Sequence, residues 1–105
     1  MQIQINTDHN IAGGQDLTNE ITGGVEHALA RFRDDVTRVE VHLSDENADK
    51  EGQDDKRCMM EARLGGLQPI VVTHQAVTLN EAVSAALDKL VRLIDSTLGR
   101  LHDKR

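Results

Sequence analysis

Aromatic side chains are almost missing from this chain: 105 residues contain one Phe and no Tyr or Trp. Any core must therefore be aliphatic, built from Leu, Ile, Val, Ala and Met. The stacking platforms by which many proteins hold single-stranded nucleic acid are absent too. A lone cysteine, Cys58, excludes an internal disulfide and fits a reducing cytoplasm. No stretch approaches the roughly 20 apolar residues needed to cross a bilayer. The opening MQIQINTDHN lacks the basic start and apolar run of a secretory signal. The expectation is one small cytoplasmic domain over residues 1–105, with no membrane contact.

Chemistry-bearing motifs are also missing. There is no glycine-rich phosphate loop and no GxSxG. The histidines His9, His27, His42, His74 and His102 form neither an HxH nor an HxxxH ligand pair. Cys58 has the inward parity of an alternating segment, beside Met60, which suits a small buried hydrophobe better than a nucleophile. The chain is therefore expected not to be an enzyme, and to need no cofactor, metal or small-molecule substrate.

Charge is present but uneven. The net charge is −6. Asp45, Glu46, Asp49, Glu51, Asp54 and Asp55 face only Lys50, so all but one unit of that excess lies in residues 45–55. The spacing lacks the ligand pattern of a calcium loop, and a solvated hairpin loop is expected over Asp45–Asp55. Near the C-terminus Lys89, Arg92, Arg100, Lys104 and Arg105 outnumber Asp88, Asp95 and Asp103.

The longest regular pattern runs from Thr78 to Leu101. Leu79, Val83, Ala86, Leu87, Leu90, Leu93, Ile94, Leu98 and Leu101 recur every three or four positions, the period of an amphipathic helix. Thr78 is positioned as N-cap, with Glu81 completing a capping box. Upstream, Gln2–Asn6 alternates as a strand. Leu17, Ile21, Val25, Ala28, Leu29 and Phe32 form a weaker helical stripe that runs through Gly23 and Gly24. Alternation then predicts three strands, around Val39–Leu43, Cys58–Leu64 and Ile70–Thr73. The order is β-α-β-β-β-α. A helical crossover suits parallel pairing of the first two strands, and short links suit an antiparallel meander of the last three. The predicted fold is α+β: a two-layer sandwich with a four-stranded mixed sheet and both helices on one face.

Four stretches in this order resemble one family. They are MQIQINTDHNI, Leu29-Ala30-Arg31-Phe32, Thr37-Arg38-Val39-Glu40-Val41-His42-Leu43-Ser44, and the run from Glu81 to Arg92, EAVSAALDKLVR. Together they are similar to the ribosome hibernation-promoting factor and ribosome-associated inhibitor family, also called sigma-54 modulation proteins, in its short form. The resemblance implies a fold like that of double-stranded RNA-binding domains. It further implies binding to ribosomal RNA of the small ribosomal subunit and silencing of translation when growth slows. The contacts it implies are Arg31 and Arg33 on the first helix and Lys89 and Arg92 on the second. Arg100 and Lys104 extend the same basic end. The chain is more acidic than typical members, both along its first helix and in the 45–55 loop.

The residues alone leave two readings open. The cations form a stripe that displaces counterions from phosphate, or they belong to an ordinary solvated helix face in which Asp88 pairs with Arg92. An acidic protein-interaction module of the same fold is the alternative to a ribosome-binding regulator. Oligomeric state is not legible.

Overall fold

The computed structural model describes residues 1–8, 11, 13–46 and 56–103, except the side chains of 102 and 103. Strand β1 (Gln2–Thr7) leads to helix α1 (Gly14–Ala28) and a short 3-10 turn (Ala30–Phe32). Strands β2 (Val36–Asp45), β3 (Lys56–Leu64) and β4 (Ile70–Ala76) follow, and helix α2 (Leu79–Asp103) ends the chain. The sheet order is β1-β2-β3-β4. β1 runs parallel to β2, with Ile3 opposite Val39, while β2–β3 and β3–β4 are antiparallel. Both helices pack on one face, α2 over β3 and β4 and α1 over β1, as the crossover and meander argument expects.

Alternation divides each strand cleanly. Val39, Val41, Leu43, Cys58, Met60, Ala62, Leu64, Val72 and Ala76 point into the helical layer and are buried. The opposite parity points to solvent. One irregularity makes this work at the start of β2. A bulge between Val36 and Arg38 places Thr37 as an extra residue, so Val36 and Val39 both reach the core despite being three apart. The Thr37 hydroxyl donates to the Arg63 carbonyl at 3.0 Å and holds the bulge.

Two glycines are required by geometry. Gly66 sits at the third position of the Leu64–Leu67 turn with φ of 76°, where the Leu67 N–H meets the Leu64 carbonyl at 3.2 Å. Gly13, with φ of 129°, precedes α1, and a Cβ there would stand 2.7 Å from the Leu17 Cβ. Gly23 and Gly24 differ. Both are exposed in the middle of α1, neither has positive φ, and a Cβ on either would meet nothing within 4 Å.

Helix α2 starts at Thr78, whose hydroxyl accepts the Glu81 N–H at 3.2 Å. The return bond from the Glu81 carboxylate is absent, so the capping box is half formed. The buried stripe is Ala82, Ala86, Leu90 and Ile94, each without measurable exposure. Leu93 and Leu101 belong to the predicted apolar face but are 44% and 43% exposed. A spacing of four residues drifts around a 3.6-residue helix, so the stripe that follows the sheet leaves these two on its flank.

Three further boundaries differ from the sequence reading. The first helix stops at Ala28: the Leu29 N–H bonds back to Val25, and the 3-10 turn that follows swings Phe32 into the core at 4% exposure. Asp45 is not loop. It ends β2 and is 8% exposed, with its carboxylate 3.1 Å from the Lys56 ammonium across the ladder. β4 runs on to Ala76. The acidic segment from 47 to 55 lies outside the described residues.

Leu90 is fully enclosed, so Leu90→Ala is expected to cost about 2–5 kcal/mol through lost transfer energy and a residual cavity. An unchanged denaturation midpoint would show that α2 does not organise the core. Gly23→Ala is expected to stabilise the fold by about 0.5–1 kcal/mol, because it relieves helix entropy without a clash. A thermal melt reads this as a raised Tm. Burial pushes the Cys58 thiol up to about 12, so the native state keeps a proton that the unfolded chain releases near pH 8.5. Stability from this source is complete below that pH and is lost as pH rises toward 12. Between about pH 8 and 10 wild type should lose stability more steeply than Cys58→Ala, and equal slopes would show that the thiol is not shielded.

Candidate nucleic-acid interface

The cations singled out from the sequence lie on the helical layer but do not form one continuous stripe. Arg31 is on the 3-10 turn and Arg33 just beyond it, rather than on α1, because that helix has already ended. Arg31 reaches across to α2, where its guanidinium meets the Asp95 carboxylate at 3.2 Å. The same guanidinium covers the Phe32 ring at 4.3 Å from its centroid. Both partners of the ion pair are 60% exposed, so it contributes only about 0.2–1 kcal/mol. Its larger effect is positional, tying the turn to α2 and offsetting the Arg31 charge.

Lys89 leaves α2 on a different side. Its ammonium donates to the Thr73 carbonyl at 3.0 Å, on the free edge of β4. That bond satisfies an edge acceptor and places a charge where another strand would add. Arg100 donates to the Ser96 hydroxyl at 2.8 Å, one turn back. Arg33 and Arg92 are exposed and engage no carboxylate within ion-pair distance. The Asp88–Arg92 pair that the solvated-face reading implies does not form, although the two are four residues apart. Lys104 lies outside the described residues.

The open face of the sheet carries cations that the sequence reading passed over. Arg38, Arg57 and Arg63 have outward parity on β2 and β3, alongside Glu40 and Glu61. The alternation that identified the strands already assigned these residues to the solvent side. Each is matched by a carboxylate: Arg38 with Glu40 at 3.5 Å, Arg63 with Glu61 at 3.6 Å, and Arg57 with Glu46 at 3.8 Å. Arg38 also donates to Gln2 at 3.1 Å and to Gln4, bridging β2 to β1. This face is largely neutralised, whereas on the helical layer Arg33 and Arg92 have no carboxylate partner.

Along α2 the free charges are segregated. Glu81 and Asp88 precede the cations Lys89, Arg92 and Arg100, which continue toward the C-terminus with Asp95 among them. Arg33 and Arg92 are solvent-facing cations with no carboxylate partner. Among the described residues no group of three or more His, Cys, Asp or Glu is placed to hold a metal ion. No helix among them is long and apolar enough to cross a membrane.

A ribosomal subunit interface protein from Coxiella burnetii superposes with a TM-score of 0.72 at 15% identity, covering 94% of this chain and 99% of that one. The N-terminal domain of Thermus thermophilus Protein Y superposes with a TM-score of 0.73 at 17% identity, covering 92% and 99% respectively. At such identities these likenesses establish the fold. No curated protein sequence matches the chain. The family described as Sigma 54 modulation protein / S30EA ribosomal protein matches residues 3–102, nearly the full length. The chain, with its β-α-β-β-β-α sandwich and cations free on the helical layer, belongs to that family.

Proposed function

We propose that this protein is a ribosome-associated regulator that binds the small subunit through ribosomal RNA and silences translation under stress or slow growth. It acts by occupying the subunit's decoding channel, not by chemistry. The observation that carries this reading is family membership over residues 3–102. The Coxiella burnetii protein of the same fold, a ribosomal subunit interface protein, adds support.

Arg33, Arg92 and Arg100 supply phosphate contacts without breaking an existing ion pair. Arg31 contributes after exchanging Asp95 for phosphate, and Lys89 after leaving the Thr73 carbonyl. Lys104 extends the same basic end. These costs are small, because exposed ion pairs are weak. Charged contacts of this kind make binding salt-dependent, since each phosphate neutralised releases condensed counterions. A second reading, an acidic protein-interaction module that no longer binds RNA, draws on the unpaired carboxylates of the helical layer, Glu20, Glu81 and Asp88 among them.

Co-sedimentation with purified small subunits at low and high salt separates the two. Wild type is expected to sediment at low salt and to be released as salt rises. Arg92→Glu should weaken binding roughly tenfold, because it opposes phosphate with a like charge and removes about one unit of the salt slope. Its stability should stay within about 0.5 kcal/mol of wild type. A wild-type protein that stays in the supernatant even at low salt would overturn the ribosome reading.

A further inference from the structure

Helices α1 and α2 do not close against each other where residues 20–24 face residues 80–87. Between them lies an open groove of about 350 Å³. Ile21, Val83 and Leu87 form its apolar base, and Glu20 and Ser84 stand on opposite sides of it. The groove is open at Gly24, where a helix would ordinarily carry a side chain. Nothing in the backbone or packing requires glycine at that position, since φ is negative and a Cβ would meet no atom within 4 Å. A helix-interior glycine costs about 1 kcal/mol relative to alanine, and the effect of this one is to leave apolar side chains reachable from solvent.

The rim is acidic. Glu20 lines the groove and Asp16 lies one turn before it on the same face of α1, while Glu81 and Asp88 are exposed on α2 outside the lining. None of the four has an ion-pair partner, and no cation lines the groove. This contrasts with Glu40, Glu46, Glu61 and Asp95, which all have arginine partners. Asp16 and Glu81 are accounted for by the positive ends of their helices. Glu20 and Asp88, further along, are not. An unpaired carboxylate on an apolar slot that has no cation in its lining repels phosphate and attracts cations.

We propose that this groove is a protein-docking site that takes a cationic peptide segment, with one apolar side chain seated over Ile21, Val83 and Leu87 and a flanking Lys or Arg facing Glu20. The apolar anchor supplies the affinity, and the acidic rim supplies orientation and on-rate. The site is separate from the cations assigned to RNA and stands whether or not the ribosome reading does.

The probe is a short fluorescein-labelled peptide of lysine, arginine and serine with a single central leucine. It is compared by anisotropy with a counterpart carrying alanine in place of the leucine, and by amide NMR shifts with a short single-stranded RNA. The leucine peptide should bind roughly tenfold tighter than the alanine peptide and shift the Gly24 and Ser84 amides. Gly24→Met, which fills the slot, and Glu20→Lys, which reverses the rim, should each weaken the leucine peptide roughly tenfold. Arg57→Gln, on the opposite face of the sheet, should leave it unchanged. Thermal melts confirm that each variant is folded, and either groove variant alone suffices. Equal binding of the two peptides, wild-type affinity in a folded groove variant, or RNA shifting the Gly24 and Ser84 amides would each overturn the proposal.

Discussion

The contact on which the structure depends is the seam between α2 and the β3–β4 half of the sheet. Ala82, Ala86, Leu90 and Ile94 repeat at four-residue spacing, small residues first and large ones after. The alanines let the helix approach β4 closely near its start, and Leu90 and Ile94 fill the space as the twisted sheet falls away. With no Tyr or Trp, burial per residue is modest, so this aliphatic seam and the Ile21–Val25–Leu29 stripe of α1 must close the core together. Phe32, the one aromatic residue, plugs the end of the layer where α1 stops.

Placing both helices on one face leaves the other face of the sheet bare. The chain treats the two surfaces differently. On the bare face, arginines and glutamates alternate along β2 and β3 and neutralise one another. On the helical layer, Asp16, Glu20, Glu81 and Asp88 have no arginine partner, and neither Arg33 nor Arg92 has a carboxylate partner. A net charge of −6 therefore describes neither surface well.

Much of the fold was legible in the residue pattern because burial imposes a period. Periods of two and 3.6 distinguish strand from helix, and link length separates a crossover from a hairpin, so topology followed from spacing. The candidate site was less legible. Arg31, Lys89 and Arg92 share a helical layer, yet Arg31 is drawn to Asp95, 64 positions away, and Lys89 to a carbonyl on β4. Arg38, Arg57 and Arg63 were visible as outward positions, but no local signal showed how completely each would be neutralised.

The sequence by itself determined the element order, the inward residues of each strand, the burial of Cys58, the Thr78 cap and the family, because each depends on local chemistry, periodicity or an ordered set of short motifs. Only the tertiary structure decided which charges remain free. It ended α1 at Ala28 so that Phe32 could be buried. It also drew Asp45 into the sheet opposite Lys56, left Leu93 and Leu101 on a flank, and opened a groove at Gly24. Each of these outcomes depends on a partner far away in sequence, and the pairing of charges across elements has no period that a linear pattern could reveal.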